Sequence, residues 1–377
     1  MRLCFVVESG TDVRLVDGLA ARNDVTVLAR RIPGGVAVNH TPAGEVRVEI
    51  GPASRLRFAA FAAGRIPGRG TAFDHVLVQG YGAAALAVNA ASRLAGTPST
   101  MLVCSPVESY YRCRRDAPQA GKPYRAWELA ALTSVARVNA RLGMRYVVLS
   151  HYLARVVAAH GTHRPVHVVP VYGVDTERFR PASEPKAALR ARLGLPTGGE
   201  IIFFSSRVAP EKDPASLLAA LGLLRAQGRD VRLLHRSGGW RELLALAERA
   251  GVADRVIASD AVHPERELPA SYQASDVCVQ ASRDEGLGLS PLEALACELP
   301  VVATAVGGLR ETIVDGETGW TYAVGDAAAL ARAIAAVLDD PAEARRRAAA
   351  GRTMVRERYE RAQVFERLQS VLEGRAA

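Results

Sequence analysis

Arg207 and Lys212 form an R-x4-K pattern that could bind and neutralise a diphosphate. Both follow an apolar run at 201–205 and lie in one short loop. A guanidinium binds phosphate through parallel hydrogen bonds, and an ammonium acts as a point charge, so the pair suits two linked phosphates. Only three of the 48 basic residues are lysines, which makes a lysine here notable. An ordinary charged surface loop is the alternative that this segment alone leaves open.

A second segment places two carboxylates on either side of a glycine-rich turn. Glu285 follows an apolar run at 276–280 and precedes two glycines and a predicted helix. Glycines let backbone N–H groups approach a ligand closely, and a helix N-terminus attracts anions. The segment therefore predicts an anion site at the start of this helix, suited to a diphosphate.

The two carboxylates of this segment, Glu285 and Glu293, have different alternative explanations. Ser290 and Glu293 have S-x-x-E spacing, which predicts a capping box with Ser290 as N-cap and Pro291 at the first helical position. Glu285 precedes the glycines and cannot serve that cap, so it is placed to accept hydrogen bonds from ligand hydroxyls. A solvated loop acid is the alternative for Glu285.

Short β-branched runs alternate with alanine- and leucine-rich stretches along the chain, and these elements must position the charged residues. Predicted helices include 124–142, 214–227 and 241–250. Predicted strands are 3–7, 25–28, 75–79, 100–104, 146–149, 166–171, 201–205, 231–235, 256–258, 276–280 and 300–303. Such alternation predicts doubly wound parallel sheets, whose ligands bind beyond the carboxyl ends of the strands.

The alternation is interrupted around 172–185, a segment rich in turn formers that contains two prolines. We predict a Rossmann-like N-terminal domain at 1–172, a linker at 173–185 and a Rossmann-like C-terminal domain at 186–345. A helical segment at 346–377 is predicted to pack back toward the N-terminal domain. Two domains of this kind facing a central cleft would place the ligand site in that cleft.

Composition excludes several classes of protein. With 377 residues, 49% of them apolar and 23% charged, the chain is neither disordered nor fibrous. No apolar run reaches the roughly 20 residues of a membrane-spanning helix, and Glu8 interrupts the first apolar run, unlike a secretory signal. The five scattered cysteines include no C-x-x-C pair, so we expect a cytoplasmic protein without disulfides. The net charge of +9 favours anionic partners.

The order of these motifs resembles a known enzyme family. Arg207 and Lys212 followed by Glu285 and Glu293, in an E-x7-E pattern, resemble the retaining GT-B glycosyltransferases, specifically glycosyltransferase family 4 (glycosyl transferases group 1). The resemblance extends to VVPVYGVDTERFRP at 168–181, LPASYQASDVCVQAS at 268–282 and ELPVVATAVGGLRETIVDGETGW at 298–320. The resemblance as a whole covers the predicted C-terminal domain almost continuously, from about residue 165 to residue 340.

This resemblance implies an α/β protein of the GT-B class, with two Rossmann-like doubly wound parallel-sheet domains, acting as a retaining glycosyltransferase. Arg207 and Lys212 would bind the diphosphate of a nucleoside-diphosphate sugar, with UDP expected in preference to GDP. Glu285 would bind the sugar hydroxyls, Glu293 the ribose hydroxyls, and Gly238 would lie near the nucleotide. Sugar and phosphate would also be contacted by the backbone of the glycine-rich segment: Gly286, Leu287, Gly288, Leu289 and Ser290. No D-x-D motif occupies a suitable loop, so we expect no metal and no other cofactor.

The N-terminal half resembles the family only loosely. The loop after the first predicted strand offers Gly10 and Thr11 as neighbours of the acceptor and the diphosphate. Many relatives carry a histidine after the strand that matches 100–104, where this chain has SPVE at 105–108. We therefore assign no catalytic histidine and take Glu108 as the candidate replacement, with a solvated or acceptor-binding acid as its alternative.

The sequence also supports predictions for the histidines and for an arginine-rich segment. His151 is an acceptor-side candidate, with a capping or core role as its alternative. His160, His163 and His167 show no carboxylate partner in the sequence, so no metal site is predicted from them. The arginine-rich segment at 112–115 is expected to be a solvated loop. Binding of an anionic acceptor or peripheral membrane contact is its alternative, which nothing beside it indicates, and nucleic acid is not an expected partner.

Other functions remain open at the level of sequence. A phosphorylase or synthase with a phosphosugar donor would use similar phosphate-binding residues. A non-catalytic subunit that binds a nucleotide sugar is a second alternative, supported by the missing histidine. A nicotinamide dehydrogenase is disfavoured because no G-x-G-x-x-G opens either domain. The acceptor, a hydroxyl or amine of a small metabolite, natural product, glycan or glycolipid, is not distinguished.

Overall fold

The structure, a computed structural model, describes residues 1–38, 46–66, 73–116, 125–260, 262–263 and 266–375. The chain forms two compact units. Unit 1 contains Met1–Tyr111, Tyr124–Tyr172 and Gln363–Ala377, and unit 2 contains Arg112–Pro123 and Gly173–Ala362. The chain thus enters unit 2 first at Arg112 and again at Gly173, and it returns to unit 1 for the last time at Gln363.

Unit 1 alternates strands and helices around one sheet. Its elements are β1 (Arg2–Val7), α1 (Val13–Ala20), β2 (Asp24–Ile32), β3 (Gly35–Val36), β4 (Arg47–Gly51), α2 (Arg55–Gly64), β5 (His75–Gln79), α3 (Ala83–Ala95), β6 (Ser99–Val103), α4 (Val107–Asp116), α5 (Ala126–Leu142), β7 (Arg145–Val148), α6 (His151–Ala159) and β8 (Val166–Val168), with α14 (Arg361–Leu372) at the C-terminal return.

The sheet of unit 1 contains eight strands within the described residues, in the order β3-β2-β1-β5-β6-β7-β8, with β4 also paired to β2. Its pairings are parallel except for the antiparallel pair of β2 and β3. Central strands such as β1 and β6 are buried almost throughout, as expected for parallel strands covered on both faces. The strand order reverses between β1 and β5, where a doubly wound sheet leaves a crevice for a ligand.

Unit 2 has the same alternation. Its elements are α7 (Lys186–Arg192), β9 (Glu200–Phe203), α8 (Pro214–Ala226), β10 (Val231–Arg236), α9 (Trp240–Arg249), β11 (Val256–Ser259), α10 (Leu268–Gln273), β12 (Val277–Gln280), α11 (Leu289–Ala296), β13 (Val301–Thr304), β14 (Trp320–Tyr322), α12 (Ala327–Asp339) and α13 (Pro341–Arg358). A single-turn 3-10 helix at Pro210–Lys212 precedes α8.

The described strands of unit 2 form one parallel sheet in the order β11-β10-β9-β12-β13-β14. Buried aliphatic side chains from its strands and from α8, α9 and α12 form the core. The order reverses between β9 and β12, which pair in the register Val277↔Ile202 and Cys278↔Phe203. Because both strands run in the same direction, the loops that follow them emerge side by side.

The predicted α/β class with two parallel-sheet units is confirmed, and each predicted strand has a counterpart. The structure adds β3, β4 and β14, which are short or half exposed and give little alternating pattern. The prediction of a solvated loop at 112–115 is wrong, because these arginines lie on α4. An acid in the first turn and arginines in the last turn of α4 complement the helix dipole. Within the described residues, no helix combines the length and apolarity needed to cross a bilayer.

Candidate functional site

Four loops meet at the carboxyl edge of the sheet in unit 2, after β9, β10, β12 and β13. Backbone hydrogen bonds join them in pairs: Val208 N–H donates to Gly238 O (3.0 Å), Arg283 N–H to Glu211 O (2.8 Å) and Gly308 N–H to Glu285 O (2.8 Å). Each bond crosses from one loop to another. The loops therefore form one connected surface at the edge where ligands of parallel α/β sheets bind.

Lys212 and Glu285 come together at this edge. Lys212 Nζ donates a hydrogen bond to Glu285 Oε2, and the two side chains are only 12% and 11% exposed. The backbone N–H of Glu285 donates to Asp284 Oδ1 at 2.8 Å, which holds the loop around the carboxylate. Lys212 and Glu285, which the two sequence motifs predict to bind phosphate and sugar hydroxyls, thus lie in direct contact.

Arg207 lies on the same loop as Lys212 but points toward solvent. Its side chain is 64% exposed, and its nearest acid is the fully buried Glu211 at 3.7 Å. Burial alone would raise the pKa of Glu211. The Arg114 guanidinium, which also belongs to unit 2, donates to the Glu211 carboxylate at 3.0 Å. This hydrogen bond and the charges of Arg114 and Arg207 lower the pKa of Glu211 below its usual value. Sequence reasoning missed Glu211, although it lies between the two predicted cations. A buried, ionised Glu211 anchors the loop while leaving Arg207 accessible to an anion.

Two glycines after β13 allow the Glu285 loop to pack against the protein. A Cβ on Gly307 would lie 2.2 Å from Glu285 O, and one on Gly308 would lie 2.3 Å from Gly286 O. Real Cβ atoms do not approach backbone oxygens so closely, so any side chain here displaces the loop. The glycine pair therefore allows the backbone of Glu285 and Gly286 to pack closely against the loop after β13.

Gly308→Ala should impair both stability and turnover. The added methyl group pushes the Glu285 loop outward, and overpacking of this kind costs about 1–3 kcal/mol. We expect a lower unfolding midpoint in urea and at least a tenfold fall in kcat, because a small displacement of a positioning group is costly. Gly198→Ala is the matched control, since a Cβ there meets no atom within 4 Å. Unchanged kcat in Gly308→Ala would contradict this account of the loop.

Glu293 lies in the same unit, but the predicted capping box is wrong. Helix α11 begins at Leu289 with Gly288 as its N-cap, at φ 91°, and no side chain caps it. Ser290 is therefore the second helical residue. Glycine tolerates this left-handed conformation, which starts the helix two residues earlier than predicted. The Glu293 carboxylate instead accepts a hydrogen bond from Tyr272 Oη at 2.7 Å.

Tyr272 and Glu293 form a buried pair beneath the β9 loop. Tyr272 is fully buried, Glu293 is 2% exposed, and Ser205 Oγ lies 3.0 Å from Tyr272 Oη. Burial, followed by the negative charge of Glu293, raises the pKa of Tyr272 far above its usual value. Tyr272 therefore stays protonated and keeps donating to the carboxylate that the family resemblance predicts to bind ribose.

The glycine turn after β10 packs directly on the loop that carries Arg207. Gly239 has φ 89°, and a Cβ there would lie 2.7 Å from Val208 Cβ, so only glycine allows this contact. Gly238 is exposed beside it. The next residue, Trp240, donates from Nε1 to Asp260 Oδ1 at 2.5 Å, which links the loops after β10 and β11.

Gly10, predicted to bind the donor, and the acceptor-side candidates Thr11, Glu108 and His151 all lie in unit 1. Gly10, at φ 116°, accepts from Gln79 Nε2 at 3.1 Å, and the backbone of Thr11 donates to Ala37 O at 2.8 Å. Both residues follow β1 at the strand-order reversal. His151 is exposed at the first position of α6, so it is not a core residue, and Ser150 is the cap.

Glu108 is held by two side chains that the sequence did not connect to it. His160 Nε2 lies 2.8 Å from Glu108 Oε1, and Tyr81 Oη donates to Glu108 Oε2. The prediction that His160 has no carboxylate partner is therefore wrong. Burial alone would raise the pKa of Glu108, but the hydrogen bonds from His160 and Tyr81 outweigh it and lower the pKa. Glu108 is thus an ionised, mostly buried acid rather than a solvated one.

Glu108→Gln should make folding stability depend less steeply on pH below about pH 5. The folded-state pKa lies below the unfolded value of about 4.3, so ionised Glu108 stabilises the fold above that pH. This stabilisation is lost as the pH falls through the folded-state pKa. We expect the urea midpoint of the wild type to fall more steeply below about pH 5 than that of the variant. Glu366→Gln, at an exposed site on α14, is the control, and equal slopes for Glu108→Gln and wild type would refute the assignment.

Among the residues that the structure describes, no three histidine, cysteine, aspartate or glutamate side chains are grouped to hold a metal ion. Cationic side chains at the carboxyl edge of unit 2 include Arg207 and Lys212. The positive end of α11 adds to their charge, since a helix N-terminus carries a partial positive charge.

Comparison with known proteins finds one matching family and several similar glycosyltransferases. The family described as glycosyl transferases group 1 matches residues 185–354. D-inositol 3-phosphate glycosyltransferase of Xylanimonas cellulosilytica is 41% identical over 201 residues, 51% of this chain and 47% of that protein. 2-Deoxystreptamine glucosyltransferase of Streptomyces kanamyceticus is 32% identical over 281 residues, 73% of this chain and 70% of that protein. The chain therefore spans about half the length of the first relative.

Solved structures match over nearly the whole chain. The HepE protein of Anabaena in complex with UDP-glucose has a TM-score of 0.78 and 17% identity, covering 99% of this chain and 100% of that one. At this identity the likeness concerns the fold alone. The two Rossmann-like units therefore have the GT-B fold, as predicted.

Proposed function

Because the chain belongs to the glycosyl transferases group 1 family, we propose that it transfers a sugar from a nucleoside-diphosphate sugar to a hydroxyl or amine, with retention of configuration and without a metal. The contact between Lys212 and Glu285 carries this proposal. It places a phosphate-binding cation beside a carboxylate that can orient the sugar, at the ligand-binding edge of a parallel sheet.

The residues of this edge support departure of a diphosphate. Negative charge grows on the leaving group as its bond to the sugar breaks, and fixed cations and dipoles at that position lower the barrier. Lys212 is held in place by Glu285, and the exposed Arg207 guanidinium can close on the phosphates. Glu285 would align the sugar ring by accepting from its hydroxyls, which turns binding energy into orientation.

The proposed reaction needs no protein nucleophile. The bond between the anomeric carbon and the phosphate oxygen breaks, and its electron pair stays on that oxygen. The acceptor atom forms its bond to the anomeric carbon on the same face of the ring, and its proton passes to the departing phosphate oxygen. The products are a glycoside with unchanged anomeric configuration and a nucleoside diphosphate.

UDP-sugars are the first donors to test, and GDP-sugars the second. A neighbour of the same fold binds UDP-glucose. Because that protein is only 17% identical to this chain, its ligand guides the choice of donors to assay. For acceptors, the names of the relatives direct attention first to an inositol phosphate and to 2-deoxystreptamine.

A donor screen followed by product analysis tests this function. UDP-glucose, UDP-galactose, UDP-N-acetylglucosamine and GDP-mannose are compared by thermal shift, with and without magnesium. The donor that stabilises the protein most is then incubated with each acceptor, and the anomeric configuration is read by NMR. We expect release of nucleoside diphosphate with retained configuration and with EDTA present. Glucose 1-phosphate is tested as a further donor: release of inorganic phosphate from it, with no nucleoside diphosphate released from any sugar nucleotide, would indicate the phosphorylase alternative. Binding of a sugar nucleotide without turnover would indicate the non-catalytic subunit.

A further inference from the structure

Gln280, the last residue of β12, lies at the centre of a buried hydrogen-bond network under Glu285. It is 2% exposed. Its Nε2 donates to Glu285 Oε2 at 3.0 Å and to Ser282 Oγ at 2.7 Å. Ser282 Oγ in turn donates to the same Glu285 oxygen at 3.1 Å. Two protein donors besides Lys212 therefore converge on the carboxylate that we assign to the sugar.

The other end of the Gln280 amide reaches the loop that carries the cations. Ser206 Oγ donates to Gln280 Oε1 at 2.9 Å, and Ser206 directly precedes Arg207. A carboxylate can only accept hydrogen bonds, so the NH2 group must face Glu285 and the carbonyl oxygen must face Ser206. One buried amide with a single workable orientation thus links the loop after β9 to the loop after β12.

We propose that Gln280 is a positioning residue for glycosyl transfer. Its amide fixes the direction of the Glu285 carboxylate relative to the loop of Arg207 and Lys212. The sugar-binding acid and the diphosphate-binding cations are thereby held in one geometry. This inference rests on the proposed function of the same site, because it assigns to Gln280 a role that acts through Glu285.

Loss of the amide should affect turnover more than nucleotide binding. Groups that orient a substrate must be held to within about 0.5 Å, and a misplacement of about 1 Å can cost roughly 10²-fold in rate. The diphosphate would still meet Arg207 and Lys212, so its affinity is preserved. A purely structural role would instead lower the amount of folded protein and leave the kcat of each folded molecule unchanged.

Gln280→Met tests the inference, since methionine has a similar length and no amide. With the donor selected by the thermal-shift screen, we expect kcat to fall about 10²-fold, while the Kd of the free nucleoside diphosphate changes less than about twofold. Ser282→Ala, which removes one donor to Glu285, should give a smaller fall. Ser275→Ala is the control, because it removes a buried hydrogen bond to Ser271 O that does not involve Glu285.

A double-mutant cycle separates failure of this inference from failure of the proposed function. In the background of Glu285→Gln, the further change Gln280→Met should alter kcat less than about threefold, because contacting residues that act as a unit are not additive. If the wild-type protein transfers no sugar from any donor of the screen, the proposed function fails. If the wild type transfers sugar but Glu285→Gln leaves kcat unchanged, Glu285 does not orient the sugar and the inference for Gln280 fails with it. If Glu285→Gln lowers kcat but Gln280→Met has no effect, or the two effects multiply fully, Gln280 does not act through Glu285. A crystal structure of Gln280→Met with an unmoved Glu285 carboxylate would also overturn the inference.

Discussion

Lys212→Ala should lower kcat by about 10²–10³-fold, the usual cost of removing one group that stabilises charge in the transition state. Lys212 is the mostly buried cation of the site and touches Glu285. Its loss removes positive charge where negative charge develops on the diphosphate. Affinity for the free nucleoside diphosphate should fall as well, because the same cation binds the ground state. Steady-state kinetics and calorimetric titration of UDP or GDP measure the two effects.

The chain offers a matched control for this variant. Lys186, one of the three lysines, pairs with Asp276 at 2.7 Å and is 46% exposed. A surface pair of this kind contributes about 0–1 kcal/mol, so Lys186→Ala should leave kcat and nucleotide affinity unchanged. Turnover of Lys212→Ala within about threefold of Lys186→Ala would remove Lys212 from the mechanism.

Glu285→Gln is expected to reduce kcat by about 10²–10³-fold with little change in affinity for the free nucleoside diphosphate. The amide keeps the size of the side chain but replaces one acceptor oxygen with a donor group. Gln280, Ser282 and Lys212 all donate to Oε2 of the native carboxylate. In the variant the amide oxygen takes this position, and the NH2 group replaces the other acceptor oxygen, Oε1. The sugar then loses its alignment, while the phosphates keep their cations.

The contrast between free nucleotide and sugar nucleotide makes this prediction specific. In Glu285→Gln, the ratio of the affinity for the sugar nucleotide to the affinity for the free nucleoside diphosphate should fall. In Lys212→Ala this ratio should stay as it is in the wild type. Glu248→Gln, at an exposed position on α9, is the control. Normal turnover of Glu285→Gln in a folded protein would show that this carboxylate does not orient the sugar.

The pairing of Lys212 with Glu285 could be anticipated because local signals and sheet topology agree. Each residue follows a short apolar strand, and loops after adjacent parallel strands emerge at the same edge. The neighbouring positions of β9 and β12 then bring together two motifs that are 73 residues apart. The residue pattern therefore predicts that each residue lies in a loop after a strand, and the resemblance to the family predicts that the two loops form one site.

The errors arose where local rules compete with packing. The S-x-x-E spacing predicted a cap at Ser290, but Gly288 accepts a left-handed conformation and begins the helix earlier, which frees Glu293 for Tyr272. Similarly, Glu108 and His160 are 52 residues apart and meet only because the segments that carry them fold into the same unit, unit 1. The Gln280 network is equally invisible in sequence, since a buried amide at the end of a strand has no spacing rule.

The central claim is that unit 2 binds the diphosphate of a sugar nucleotide through Arg207 and Lys212 without a bridging cation. A crystal structure of the protein soaked with the best donor and magnesium tests it most directly. We expect phosphate oxygens within about 3.2 Å of Lys212 Nζ and of the Arg207 guanidinium, with the sugar hydroxyls on Glu285. Phosphates bound elsewhere in the protein, or joined to it through a magnesium ion, would contradict the claim.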